Sequence, residues 1–356
     1  MSNSGNNNNG TASNGGSSNE GAMSRKRHLV EAYEDAKRAM WKLEEAIRWI
    51  KDDGDHEAPK IIAGVPEVER LSEFMGDVRA VDVSADGKMV IVASGRGIWI
   101  IDREHDTVKP IKVDGNLIYA LKFIPGKPLA VAAVGITLML VNLIKGEPLS
   151  YLGPNNRQVL DIAMSRDGRT AITGQINGRV TSWDLTDMKE NWSRIVFAGE
   201  TQALAITDDE QHVWCGSLLS TMYKLSMKTG EVCQHVPLSG AVFSLAAVPG
   251  TNDIIVGHFS EFEIFDSSQN KIVNCKESYV GMNTCLTKSG DIMLATKGNL
   301  IHAICMKPPR TTAAVYSGHT GEVTSIVIMP DDEHFVSGSS DGTVRLWKLP
   351  KRADKV

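Results

Sequence analysis

Residues Gly318 to Leu349 read GHTGEVTSIVIMPDDEHFVSGSSDGTVRLWKL. The stretch opens on Gly318-His319 and carries the turn Ser337-Gly338-Ser339-Ser340-Asp341-Gly342-Thr343. Trp347 follows Asp341 by six residues, and the unit closes on Trp347-Lys348. Short apolar runs flank turn-forming Gly and Asp residues, and no helical period is present. That pattern belongs to strands joined by tight hairpins.

Weaker copies run upstream. Ser182-Trp183-Asp184-Leu185 follows the segment ITGQING, so Thr173, Asn177 and Trp183 occupy the Ser337, Asp341 and Trp347 positions. The S-x-D-G junction recurs at Ser84 to Gly87 and Ser165 to Gly168, with looser forms at Thr207-Asp208-Asp209 and Lys288-Ser289-Gly290. Small residues ahead of each first strand fall at Gly76, Gly115, Gly153, Gly199, Gly240, Gly281 and Gly318. The intervals are 39, 38, 46, 41, 41 and 37 residues, close to the period of propeller blades. Seven units follow from this count, and the seventh alone holds all four marker residues.

The last unit resembles the WD-repeat family, and the third does so in part. The Trp-Asp dipeptide of that family is Trp347-Lys348 here. The resemblance implies a seven-bladed β-propeller over roughly 60–350. It also implies that His319, Ser337, Asp341 and Trp347 form a hydrogen-bonded network inside one blade. In such a network the imidazole bridges carboxylate and hydroxyl, and the indole N–H donates to that hydroxyl. A Ser, a His and an Asp together are therefore structural here, since buried polar groups need partners. In this family each repeat spans the outer strand of one blade and the inner three of the next. The segment Ile61 to Phe74 is then expected to supply the last outer strand and close the ring.

In the family, partner-contacting side chains project from the start of each inner strand. Aligned on the seventh unit, these are Arg79, Tyr119, Leu160, Gln202, Phe243, Asn283 and Thr324. Tyr119 and Phe243 are the aromatic anchors among them. A one-residue slip would turn such positions into the core.

Two segments precede the repeats. Residues 1–23 are almost entirely Ser, Asn and Gly, a composition that predicts disorder. Residues 24–53 contain no Gly or Pro, and Leu29, Tyr33, Ala36, Met40, Leu43, Ile47 and Ile50 alternate four and three apart. That is an a/d seam over just more than three heptads, so a helix is expected with Gly54 at its stop. A seam of this kind must be covered. A coiled coil with itself or a partner is one reading, and docking on the chain's own propeller is the other. Residues 351–356 form a short basic tail.

Composition bounds the function. The 356 residues carry a net charge of −5, with 42% hydrophobic and 23% charged residues, which implies no general pull toward nucleic acid or membrane. The longest apolar run, Leu129 to Val141, is broken by Gly135 and Thr137 and is too short for a span. With no signal-like N-terminus, a soluble cytoplasmic or nuclear protein is expected. Cys215, Cys233, Cys275, Cys285 and Cys305 are odd in number with no C-x-x-C pair, so neither a disulfide framework nor a zinc site is expected, and burial in strands is. No P-loop, H-E-x-x-H or G-x-S-x-G motif occurs, and no cofactor, metal or catalytic residue is predicted. No Arg follows Trp183-Asp184 or Trp347-Lys348 at the second place, where propeller receptors of ubiquitin ligases carry one.

A non-enzymatic scaffold follows: a propeller that docks proteins or peptides, and a helix for homo- or hetero-oligomerisation or a second partner. Nucleic acid is expected to be met only through partners. The order of helix and repeats resembles G-protein β subunits and Groucho-type corepressors. A ubiquitin-ligase receptor and a propeller enzyme are the weaker alternatives.

Overall fold

The computed structural model describes residues 69–350, apart from 75, 96, 114–116, 154–156, 260, 275–282 and 308–309. The expected tail, helix and C-terminal segment at 1–23, 24–53 and 351–356 lie outside the described residues. All of these described residues belong to the compact unit Ile61–Val356. They form seven four-stranded antiparallel sheets and no helix, so none of these residues forms a helix that could cross a membrane.

The innermost strands are Val78–Val83, Ile118–Phe123, Val159–Met164, Ala203–Ile206, Ser244–Ala247, Thr284–Leu286 and Val323–Ile328. Each is followed in its sheet by a second strand sandwiched between neighbouring blades. Leu129–Val134 reads LAVAAV, and its last five residues are buried. A strand covered on both faces has no polar alternation to keep. The outer strands face water: in Glu147–Leu152 only Leu152 is buried.

Ring closure uses both ends of the repeat region. Glu69–Glu73 pairs antiparallel with Thr343–Lys348, in the register Glu69↔Leu346, Arg70↔Arg345, Ser72↔Val344 and Glu73↔Thr343. Beyond the strand, the Phe74 N–H donates to the Gly342 carbonyl at 2.8 Å. The closing strand therefore comes from the end of the Ile61–Phe74 segment. It leaves the seventh blade with four strands and no unpaired third one.

Tight turns and close blade contacts explain the marker residues. Gly342 and Gly178 sit at φ +82° and +75°, the left-handed region that suits glycine in hairpin turns. Gly338 has another reason: a Cβ there would run into the Val78 side chain of the next blade. Gly174 is alike, since a Cβ would lie 2.8 Å from Thr201 Cγ2. The S-x-D-G junctions are hydroxyl–carboxylate turns, with Ser84 Oγ donating to Asp86 Oδ1 at 2.6 Å and Ser165 Oγ to Asp167 Oδ1 at 2.6 Å. The looser unit keeps that bond, Thr207 Oγ1 to Asp209 Oδ1 at 2.6 Å. It places Glu210 at φ +54° where the others have glycine.

Cys275 lies outside the described residues, and among the four described cysteines burial in strands holds for Cys215 alone. Cys233 is exposed on an outer strand, and Cys285 and Cys305 are half-buried. An outer strand has only one packed face, which is why Cys233 escapes the core.

Candidate docking face

The seventh blade holds the most complete polar network. His319 Nδ1 lies 3.0 Å from Asp341 Oδ2, and its Nε2 lies 2.7 Å from Ser337 Oγ. The Trp347 indole N–H donates to the same Ser337 Oγ at 2.7 Å. Thr343 Oγ1 donates to Asp341 Oδ1 at 2.7 Å, and the Thr320 and Thr343 backbone N–H groups also donate to that carboxylate. Burial alone would raise the Asp341 pKa. The Thr343 hydroxyl, these two backbone donors and His319 outweigh it and hold the carboxyl far below its usual range. Ser337 is fully buried and His319 is 2% exposed, so no substrate can reach the hydroxyl. The trio pins strands together and has the opposite geometry to an open hydrolase site.

In the third blade the Trp183 indole N–H donates to Thr173 Oγ1 at 3.0 Å. Asn177 does not join them: its side-chain oxygen is buried without a partner among the described residues. The fifth blade carries a pair that sequence reading missed. His258 Nε2 lies 2.9 Å from Glu263 Oε2, and Nδ1 lies 3.0 Å from the Ala241 carbonyl. Both side chains are 3% exposed. Burial depresses His258, but Glu263 and the carbonyl reverse this and raise its pKa, while burial of Glu263 is outweighed by His258, which lowers it. A further set lines the inner strands. Asp82 Oδ2 accepts the Phe123 N–H at 2.7 Å, and Asp161 Oδ2 accepts the Leu204 N–H at 2.8 Å. Lys122 Nζ lies 3.8 Å from Asp82. These bonds tie neighbouring inner strands to one another.

The seven rim positions share one environment. Arg79, Tyr119, Leu160, Gln202, Phe243, Asn283 and Thr324 are all half-buried. The residue before each, where described, is core: Val78, Ile118, Val159, Thr201 and Val242 are fully buried and Val323 is 1% exposed. In blades one, two, three and seven the ladder slips at this place, between Val78 and Ala80, Ile118 and Leu121, Val159 and Asp161, and Val323 and Ser325. A bulge there re-aims the side chain it carries. Blades four to six have inner strands of only four, four and three residues. In the fourth and fifth, Gln202 and Phe243 still donate backbone N–H groups to Gly216 and Gly257 at 2.8 and 2.9 Å.

The rim side chains differ in what they touch. The Arg79 guanidinium lies 5.4 Å from the Tyr119 ring centroid, a cation–π contact. Phe243 and Phe259 are 6.2 Å apart. Thr324 Oγ1 donates to the Val78 carbonyl at 2.5 Å, and Asn283 Nδ2 to the Val323 carbonyl at 3.4 Å. Those two brace adjacent blades. Among the described residues, the side chains of Tyr119, Leu160, Gln202 and Phe243 make no hydrogen bond, and they are better placed to meet a partner.

A four-stranded, sevenfold ring closed by its own N-terminal strand, with a His–Ser–Trp–Asp network in its last blade, defines a WD-repeat β-propeller. Residues 310–348 match the family described as "WD domain, G-beta repeat". That match covers the last repeat unit. It is similar to the protein groucho of Drosophila melanogaster, 25% identical over 292 residues covering 76% of this chain and 39% of that one. Transducin-like enhancer protein 2 of Mus musculus is 23% identical over 306 residues, covering 80% of this chain and 39% of the mouse protein. The chain thus spans 39% of the length of these curated relatives.

Proposed function

We propose that this chain is a non-enzymatic docking platform for protein or peptide partners, binding them through the ring of inner-strand starts. The observation that carries this is the common environment of the seven rim residues: half-buried side chains, which follow a core residue wherever that residue is described. Tyr119 and Phe243 are the anchors, because a half-buried aromatic gives a partner large apolar contact at little cost in conformational freedom. The test is capture of partners from the source cell by the full chain. Tyr119→Ala and Phe243→Ala are expected to weaken capture while thermal unfolding stays cooperative. Unchanged capture by both would overturn the assignment.

The segment 24–53 fits a second role, self-association or a second partner through its Leu29 to Ile50 seam. A corepressor-like role in the nucleus is the reading favoured by the alignment with groucho and transducin-like enhancer protein 2. Chromatin-directed complexes recovered with the chain would support it, and recovery of cytoplasmic complexes alone would count against it. A G-protein-β-like subunit has only the order of helix and repeats in its favour.

A further inference from the structure

Apolar and guanidinium side chains share one arc of the rim face, across blades two and three. Leu117 and Ile136 are 37% and 49% exposed. Their loops adjoin: Gly135 donates its N–H to the Leu117 carbonyl at 3.2 Å, and the Gly135 carbonyl accepts the Val159 N–H at 3.1 Å. The half-buried Tyr119 and Leu160 of the rim stand two and one residues further along these same chains. Next comes the third blade's own turn, where the Ile176 N–H donates to the Gln158 carbonyl at 3.0 Å.

Cations accompany this apolar strip. Arg79 lies against Tyr119, Arg157 is exposed in the entry loop of the third blade, and Arg179 follows its turn. The Arg179 guanidinium donates from Nη1 to Ser193 Oγ at 2.8 Å, and its Nε has no partner among the described residues. Asp77 and Glu200 are the acidic residues in the described loops and turns at this end of blades one to four. Across the ring, the described loops of blades five to seven present Glu261 and Glu322 with Lys297, while the Asp341 carboxylate is buried in its network. One side of the face is therefore cationic and apolar, and the other is acidic.

We propose that the arc from Leu117 to Arg179 docks an acidic segment bearing large apolar side chains. Leu117, Ile136, Leu160 and Tyr119 cover the apolar groups, and Arg157 and Arg179 receive the carboxylates, which a guanidinium fork binds in bidentate fashion. The inference rests on the docking function above and names the chemistry of the partner.

The test uses the full chain and a short fluorescent peptide alternating Asp or Glu with Leu or Phe, read by anisotropy. A control peptide has Lys at each acidic place. The acidic peptide is expected to bind at least about tenfold tighter than the control and to weaken as salt rises. Ile136→Asp, at an exposed turn, and Arg179→Gln are each expected to weaken it about fivefold or more. Val232→Ala, exposed at the start of an outer strand away from this face, is expected to leave it unchanged. Equal binding of the two peptides, insensitivity to both arc substitutions, or an equal loss with Val232→Ala would overturn the proposal. If partner capture falls with Phe243→Ala but not with Ile136→Asp or Arg179→Gln, docking stands and the acidic arc falls.

Discussion

Replacing His319 by Leu removes the imidazole that joins Asp341 to Ser337. Asp341 keeps its Thr343 and Thr320 donors, and Ser337 keeps the Trp347 indole. The expected loss is therefore about 2–3 kcal/mol in chemical unfolding rather than collapse of the blade. Thr173→Val in the third blade strips the Trp183 N–H of its acceptor and is expected to cost about 1–2 kcal/mol. The His258–Glu263 pair sets a pH dependence. His258 is raised, so its contribution is complete below its unfolded pKa near about 6.5 and is lost as pH rises through the folded value. Glu263 is lowered, so its contribution is complete above its unfolded pKa near about 4.3 and is lost as pH falls through the folded value. The pair therefore stabilises most between those limits. The melting temperature of Glu263→Gln should fall less than that of the parent between pH 6 and pH 8, and parallel curves would refute this. His319 and its partners were legible because they stand at the spacing of the repeat family that the last unit resembles. His258 and Glu263 were not, since His and Glu five apart fit no repeat pattern and only the fold buries them together.

The seventh blade depends on one strand drawn from far away in sequence. Without the residues before Gly76, Thr343–Lys348 would present a bare edge and the buried Phe74 would be missing. Such a chain is expected to lose its sharp thermal transition and to aggregate, because a long exposed edge templates pairing with other chains. A cooperative melt at the parent temperature would show that closure matters little. Gly338→Ala tests the blade-to-blade packing: the added methyl meets Val78, and overpacking of this kind should cost about 1–3 kcal/mol. The glycine spacing located all seven blades; Gly76, Gly153 and Gly318 stand at positive φ, where glycine is favoured. The quality of each ladder was less legible. In blades four to six the polar markers are lost and the inner strands shorten, yet Val242 and Thr201 still fill the core position. A threonine there, with its hydroxyl lacking a partner among the described residues, gives no apolar signal to read.

At the scale of the whole molecule, a ring that binds partners gains most if it is present in more than one copy. Two rings held together turn a second contact into an intramolecular one, and avidity can exceed single-site affinity by about 10²–10⁴-fold. The seam from Leu29 to Ile50 is the part of this chain suited to that task, since three heptads of a/d residues would bury their apolar stripe against a copy of themselves. The segment lies outside the described residues. The full chain is expected to sediment as an oligomer at micromolar concentration. Leu43→Glu at the middle of the seam is expected to yield monomers whose propeller melts at the parent temperature. The same substitution should weaken capture of a partner displayed at high density on a surface, yet leave binding of a free peptide unchanged. If the parent is already monomeric and its 24–53 segment resists proteolysis, the seam is covered by the chain itself, and any avidity must come from the partner.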